Sequence, residues 1–160
     1  MKKIDLEQLR RFYFYLENNE RFIKDAEAKR SCARSQNGID KANQTIASCQ
    51  AEIVRYRNQI AVILEQCDEA QKMLDTAKYE MAIVYYATGD YGRRESENHF
   101  IMVASMRDAR ATFDDLKKRN GGYVNAWVEI RPTGEFSEIL DLREKIEKMQ
   151  AELDKLLNGD

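Results

Sequence analysis

The stretch from Ile39 to Val84 decides the architecture, and it reads IDKANQTIASCQAEIVRYRNQIAVILEQCDEAQKMLDTAKYEMAIV. Numbered as heptads with Ile39 at position a, it carries an apolar or aromatic side chain at all fourteen a and d positions. The a positions are Ile39, Ile46, Ile53, Ile60, Cys67, Leu74 and Met81, and the d positions are Ala42, Cys49, Tyr56, Ile63, Ala70, Ala77 and Val84. A strict 3.5-residue repeat is typical of a long helix that supercoils against partner helices. It predicts a central helix from about Asp40 to Ala87, roughly 70 Å long at about 1.5 Å per residue.

The segment before this run is predicted to form a first helix. Asp5 is a favourable N-cap, and Gln8 at the third helical position completes a capping box. From Phe12 to Leu16 the helix is apolar nearly all round, and Phe22 adds bulk further along. Such a surface predicts burial on more than one side.

Two glycine-containing breaks frame the central helix. Ser35 to Gly38 interrupts the pattern, and Gly38 suits the left-handed conformation that often ends a helix. Gly89 and Gly92 favour a tight reversal, after which Ser96 can cap a third helix that ends at Asn120. The stripe of this third helix would consist of His99, Met102, Met106, Ala109, Phe113 and Leu116. Because the connections are short, both flanking helices are expected to run antiparallel to the central one.

One segment has the alternation of a β-strand. From Tyr123 to Ile130, apolar side chains occupy every second position, and Trp127 lies on the opposite face. No second strand of equal quality is evident, so this segment would pair with a short return near Phe136, with a second chain or with a partner. Otherwise it is an extended linker that lies on the helices.

A fourth helix closes the chain. Ser137 can act as its N-cap, and it carries apolar side chains at perfect heptad spacing, namely Ile139, Leu142, Ile146, Met149, Leu153 and Leu156. This stripe favours either a third layer within the chain or a dimer contact. The sequence therefore predicts an all-α protein, a single helical coiled-coil domain over residues 1–160. It would have a long central helix, antiparallel flanking helices in a four-helix-bundle-like arrangement and one minor extended segment near residues 123–130.

Composition limits the function. Charged residues make up 34% of the chain, yet the net charge is only −2, which argues against a dedicated nucleic-acid binder. The charged beginning of the chain lacks the apolar region of a signal peptide. A membrane-spanning helix is not expected either, because the sequence has no run of about 18 apolar residues. Three cysteines without CxxC spacing are typical of a reduced, intracellular protein. We therefore expect a cytoplasmic location.

Residues that could perform chemistry are scarce. His99 is the only histidine, and a metal site needs more ligands than it can supply. The glycines at 89 and 92 lack the lysine and the preceding strand of a phosphate-binding loop. The sequence thus indicates no cofactor, no metal and no enzyme activity.

A contact surface for a partner is predicted where the central helix would reverse. This surface and one face of the extended segment combine tyrosine, arginine and tryptophan, the residue types enriched at protein interfaces. The candidate partner-binding residues are Tyr85, Tyr86, Tyr91, Arg93, Arg94 and Trp127. In a purely structural alternative, Tyr85 and Tyr86 close the end of the bundle against the third helix.

These patterns favour a non-enzymatic protein–protein interaction protein. It would be an oligomeric coiled-coil scaffold, adaptor or binding inhibitor, of which phage-type accessory inhibitors are one kind, and it would form a dimer. The alternative is a nucleic-acid-associated protein that uses basic clusters such as Lys117 to Arg119 at helix ends.

Overall fold

The computed structural model describes residues 2–87, 98–120 and 124–158. These form β1 (Lys2–Ile4), α1 (Leu6–Cys32), α2 (Gln36–Leu74), β2 (Tyr79–Ala87), β3 (His99–Val103), α3 (Met106–Asn120), β4 (Val124–Pro132) and α4 (Glu135–Asn158). Helix accounts for 73% and strand for 17% of the described residues. The four strands form one antiparallel sheet in the order β1-β4-β2-β3. The all-α prediction is therefore wrong, although helix dominates.

The helices α1 and α2 form the long antiparallel hairpin that the heptads predict. Asp5 caps α1 by accepting a hydrogen bond from the Gln8 amide at 2.9 Å, as predicted. Ser35 caps α2 by accepting from the Gly38 amide at 3.2 Å. Gly38 thus lies in the first turn of α2, so the expectation that it ends α1 in a left-handed conformation is wrong.

The central helix is shorter than predicted. From Ala42 to Ala70 its a and d side chains are buried, except Tyr56, which is half-buried. The helix ends at Leu74. Ala77 has a φ of 54°, a left-handed conformation that an α-helix cannot accommodate. The heptad pattern overestimates the length of the helix because it continues into β2, where Met81, Ala82, Ile83 and Val84 are all buried. A strand covered on both faces has consecutive apolar residues, and such a run also satisfies two heptad positions.

The strand partners of β4 lie within the chain. On one side β1 pairs with it, with Ile4 opposite Val128. On the other side β2 pairs with it, with Ile83 opposite Val128. The strand predicted at Tyr123 to Ile130 is confirmed from Val124 onward, but its central partner comes from the segment predicted to be helical. Likewise, the first part of the predicted third helix that the structure describes is the strand β3, from His99 to Val103. The helix α3 begins only at Met106.

The two faces of the sheet differ in what covers them. The inner face, which includes Ile4, Met81 and Ile130, packs against α1, α2 and α3 around Phe113. Among the described residues, the outer face is covered by the beginning of α4, chiefly through Phe136, which is 2% exposed. In α4 every residue from Glu144 to Asn158 is exposed. The four-helix-bundle-like packing is therefore wrong, because α4 projects from the body and is not a third layer on α2.

The start of α4 is set by β2 and not by Ser137. The Glu80 carboxylate accepts hydrogen bonds from the backbone amides of Gly134 and Phe136, each at 3.0 Å. These donors lie at the beginning of the helix, where amides lack helical partners and the helix dipole favours negative charge. Glu80 therefore caps α4 from a neighbouring strand and fixes it to the sheet.

Candidate interaction surfaces

The predicted partner-binding residues fall into two groups. Tyr85 and Tyr86 lie in β2 and Trp127 lies in β4, whereas Tyr91, Arg93 and Arg94 lie outside the described residues. Because successive strand side chains point to opposite faces, Tyr85 and Tyr86 separate. Tyr85 packs on the inner core with its ring 5.5 Å from that of His99, and Tyr86 faces outward. The structure thus brings Tyr86 and Trp127 together and moves Tyr85 away from them.

The outer-face aromatic cluster consists of Tyr86, Trp127 and Lys3. The tyrosine and tryptophan rings meet edge to face with their centroids 6.0 Å apart. The Lys3 ammonium lies 3.9 Å from the indole centroid, within the range of a cation–π contact. Asn125 donates a hydrogen bond to the Tyr86 hydroxyl at 3.0 Å. The cluster is held in place from three strands, so it presents a rigid, partly exposed aromatic surface.

A buried carboxylate, Glu129, stabilises this cluster. Its side chain accepts a hydrogen bond from the Trp127 indole at 2.8 Å and two from the Arg131 guanidinium at 2.9 and 3.1 Å. Glu129 is only 6% exposed, and a charge at that depth needs such partners. Because its oxygens are engaged by Trp127 and Arg131, the geometry favours a structural role for Glu129 over a catalytic one.

The most exposed apolar surface is the α4 stripe, which we define as Leu142, Ile146, Met149, Leu153 and Leu156. Their exposed fractions are 57%, 50%, 60%, 54% and 82%. Ile139, the first member of the predicted heptad, is half-buried near the body. Within the described part of the chain nothing covers the stripe, and exposed apolar patches of this kind mark interaction sites.

The attached end of α4 is held by Arg143. Its guanidinium donates a hydrogen bond to the backbone carbonyl of Asn98 and lies 5.4 Å from the Phe100 ring centroid. Phe100 in turn packs on Phe136 with ring centroids 5.3 Å apart. These contacts hold α4 as far as Arg143, and the turns from Glu144 to Asn158 are exposed among the described residues.

A second exposed apolar surface lies on α1. Tyr13, Phe14, Tyr15 and Phe22 are 44%, 59%, 42% and 48% exposed. Their predicted burial on more than one side is wrong because α2 covers only one face of α1 here. The Tyr15 ring contacts Tyr56 of α2 with ring centroids 5.4 Å apart, so this edge of the surface packs on the neighbouring helix.

Residues 2–87, 98–120 and 124–158 contain no cluster of potential metal ligands, and the cleft between α1 and α3 contains no activated nucleophile. No group of three or more potential metal-binding side chains converges in these ranges. His99 lies exposed in β3, not on a helical stripe. A cleft of about 250 Å³ separates α1 from α3, and it is lined by Leu6, Leu9, Arg10, Tyr13, Arg110, Phe113 and Asp114. This lining lacks a nucleophile with an adjacent base.

Basic residues on the hairpin and on α3 face acidic neighbours. Arg55 pairs with Glu52 at 2.6 Å, and Arg119 pairs with Asp115 at 2.7 Å. Lys117, beside Arg119, pairs with a different acid, Glu7, at 2.9 Å. Such pairing lowers the local positive potential that a phosphate backbone would need.

The whole-molecule comparisons add no further identification. Among the described helices, none combines the length and the apolar character needed to cross a bilayer. Comparison of the chain with protein-family models, with curated proteins and with solved structures finds no match.

Proposed function

We propose that the protein acts without catalysis, through protein–protein contact, as a dimeric coiled-coil scaffold, adaptor or binding inhibitor. The exposed stripe of α4 is the observation that carries this proposal. Burying a leucine, isoleucine or methionine side chain contributes about 1.5–3 kcal/mol. Five such side chains on one helix face supply enough apolar area to drive association, and heptad spacing suits another helix as the partner surface.

The arrangement of elements supports a bridging role. The α1–α2 hairpin extends for roughly 58 Å and α4 for roughly 36 Å, at about 1.5 Å per residue. Both arms start from the same sheet. A dimer through α4 would hold two hairpins and two outer-face aromatic clusters at fixed positions, which is the geometry of a scaffold.

We assign the contact surface for a different protein to Tyr86 and Trp127 together with Tyr91, Arg93 and Arg94. The first two form a rigid aromatic surface, and the other three belong to the segment that follows β2 in sequence. Tyr85 contributes to the inner core and supports this surface from behind. The acidic neighbours of the basic residues favour a protein partner over nucleic acid, and the three free cysteines favour a cytoplasmic location.

Sedimentation equilibrium tests the dimer. We expect the wild-type protein to be dimeric at tens of micromolar and the variant Ile146→Asp, Leu153→Asp to be monomeric with unchanged circular dichroism. Asp154→Ala, on the charged side of α4, is the matched control and should remain dimeric. A monomeric wild-type protein at that concentration would contradict the proposal.

Partner retrieval tests the second surface. We expect the triple variant Tyr91→Ala, Arg93→Ala, Arg94→Ala to melt like the wild type and to retain less of the protein that wild-type bait retrieves from a cognate cell extract. Alanine truncation at an interface centre typically costs 2 kcal/mol or more, which is about thirtyfold in affinity. The α4 variant serves as the control for avidity. Equal retention by the triple variant would move the contact to another surface.

A further inference from the structure

The α4 stripe also carries information about the orientation of its partner. The inference here rests on the self-association proposed above and concerns which way the second helix runs. Three features of α4 bear on it: the spacing of the stripe, the charges beside it and the contacts that fix its first turns.

Spacing permits a complete antiparallel core. In an antiparallel pair, each a side chain meets a d side chain of the other helix. If Ile146 of one copy faces Met149 of the second copy, Leu142 faces Leu153 and Ile139 faces Leu156 in the same register. Every heptad position of α4 then has an apolar partner and no layer is left empty. A parallel, in-register pair also fills its layers, so spacing alone does not decide.

The flanking charges are better matched in the antiparallel register. With a at Ile139, the g positions of the two later heptads are Lys145 and Glu152. An antiparallel pair sets g beside g, so Lys145 of each copy meets Glu152 of the other. In a parallel pair g meets the e position of the next heptad, where Lys145 would face Gln150 and Glu152 would face Leu157. Charges at e and g set helix orientation, and here the two opposite charges meet only in the antiparallel pair.

The parallel pair has attractive contacts of its own, because Glu138 of each copy would face Arg143 of the other, which makes two ion pairs by symmetry. That arginine is already in use, because it donates to the Asn98 carbonyl and lies over the Phe100 ring. Arg143 is also half-buried, so its charge is less available to a second copy than those of Lys145 and Glu152, which are exposed. A parallel pair would also bring two bodies to the same end, whereas an antiparallel pair places them at opposite ends.

We propose that two copies of this chain pair their α4 helices antiparallel, in the register that sets Ile146 against Met149 and Lys145 against Glu152. The occupant of the α4 stripe is therefore a second copy of α4. The complete set of apolar layers, the two symmetric ion pairs and the free distal turns all fit this occupant.

A charge exchange tests the register. We expect Lys145→Glu and Glu152→Lys, each alone, to raise the dissociation constant of the homodimer about tenfold, because two attractive pairs become repulsive. An equimolar mixture of the two variants should form a heterodimer about as tight as the wild type, since opposite charges again meet. In a parallel dimer the mixture would gain nothing over the separate variants, and that result would overturn the register.

Spin-label distances give a second readout that does not depend on charge. Labels would be placed at Lys148→Cys and separately at Lys155→Cys, both in a Cys32→Ser background because Cys32 is the exposed native thiol. In the proposed register the two copies of position 148 are offset by roughly 2 Å along the axis, and those of position 155 by roughly 22 Å. We expect a clearly longer distance for position 155.

The outcomes separate the two proposals. A dimer that gives equal distances at both positions overturns the antiparallel register but leaves self-association standing. A monomer overturns self-association and the register together, and it would assign the stripe to a different protein. A longer distance at position 155 combined with recovery in the charge-exchange mixture supports the inference.

Discussion

The helices α2 and α4 carry the same kind of apolar stripe but use it differently. In α2 the a and d side chains from Ala42 to Ala70, apart from the half-buried Tyr56, are buried against α1 and the sheet. In α4 the equivalent side chains from Leu142 to Leu156 are at least half exposed. Both helices are amphipathic and both have mixed charges on their other faces. The difference teaches that a heptad repeat specifies a helix with one apolar face, whereas the connections of the chain decide whether that face is filled.

The largest effect should come from placing a charge in the filled stripe. Ile60 is 6% exposed and belongs to the inner core, so Ile60→Asp would bury a carboxylate without a partner. We expect this variant to lose most of its folding free energy, above about 4 kcal/mol, and to unfold or precipitate. Thermal melting followed by circular dichroism measures this.

The matched control for that variant is Glu65→Ala. Glu65 is exposed at an f position of the same helix, and its removal should change the melting temperature by less than about two degrees. Equal melting temperatures for the two variants would contradict the heptad register of α2.

An intermediate loss of stability is expected when isoleucine is replaced by alanine, and its size should differ between the stripes of α2 and α4. Ile53 is 8% exposed in α2, and Ile146 is 50% exposed in α4. Ile53→Ala should lower the free energy of unfolding by about 2–4 kcal/mol through lost burial and a cavity. In dilute solution, where the protein is monomeric, Ile146→Ala should lower it by less than about 0.5 kcal/mol. Urea denaturation at low protein concentration compares them, and similar losses would mean that α4 packs within its own chain.

Local signals allowed the helical hairpin to be predicted. The Asp5 cap and the α2 heptads lie within a few residues of the structure that they specify. The sheet was missed because its signals are not local. The three residues of β1 are too few to show alternation, and β2 is recognisable only through its pairing with β4. The start of α4 depends on Glu80, which lies more than fifty residues earlier than the amides it caps.

The candidate surfaces could also be predicted only in part, because their exposure and contacts depend on residues that are distant in the sequence. The α4 stripe follows from periodicity alone, but its exposure does not. Tyr86 and Trp127 were both selected by residue type, yet their contact depends on the β2–β4 register, in which Val84 lies opposite Trp127. Phe14 and Phe22 on α1 are exposed, although the apolar composition of the helix predicts that they are buried. The prediction fails because composition gives no information about how many neighbours a helix has.

The smallest expected effect concerns an ion pair that joins α2 to the sheet; among the described residues, the distal turns of α4 have no such contact with the sheet. Lys2 of β1 donates a hydrogen bond to Glu69 near the end of α2. This bond and the Lys2 charge lower the pKa of Glu69 below its ordinary value of 4.5, with a further small contribution from Lys72. A carboxylate whose pKa is lower in the folded state stabilises that state above its unfolded pKa, and the stabilisation is lost as the pH falls through the folded pKa.

We therefore expect Lys2→Ala to lower the melting temperature slightly at pH 7, by about one or two degrees, because both groups are solvent-accessible and water screens the pair. The difference from the wild type should persist down to pH 4.5 and disappear below it, as Glu69 becomes protonated in the folded protein. Glu69→Gln should show the same small loss at pH 7 and little further change on adding Lys2→Ala. Lys155→Ala, on the distal part of α4, is the control with no expected pH-dependent difference. A Lys2→Ala effect of equal size at pH 7 and pH 3 would show that the lysine stem, and not its charge, joins β1 to α2.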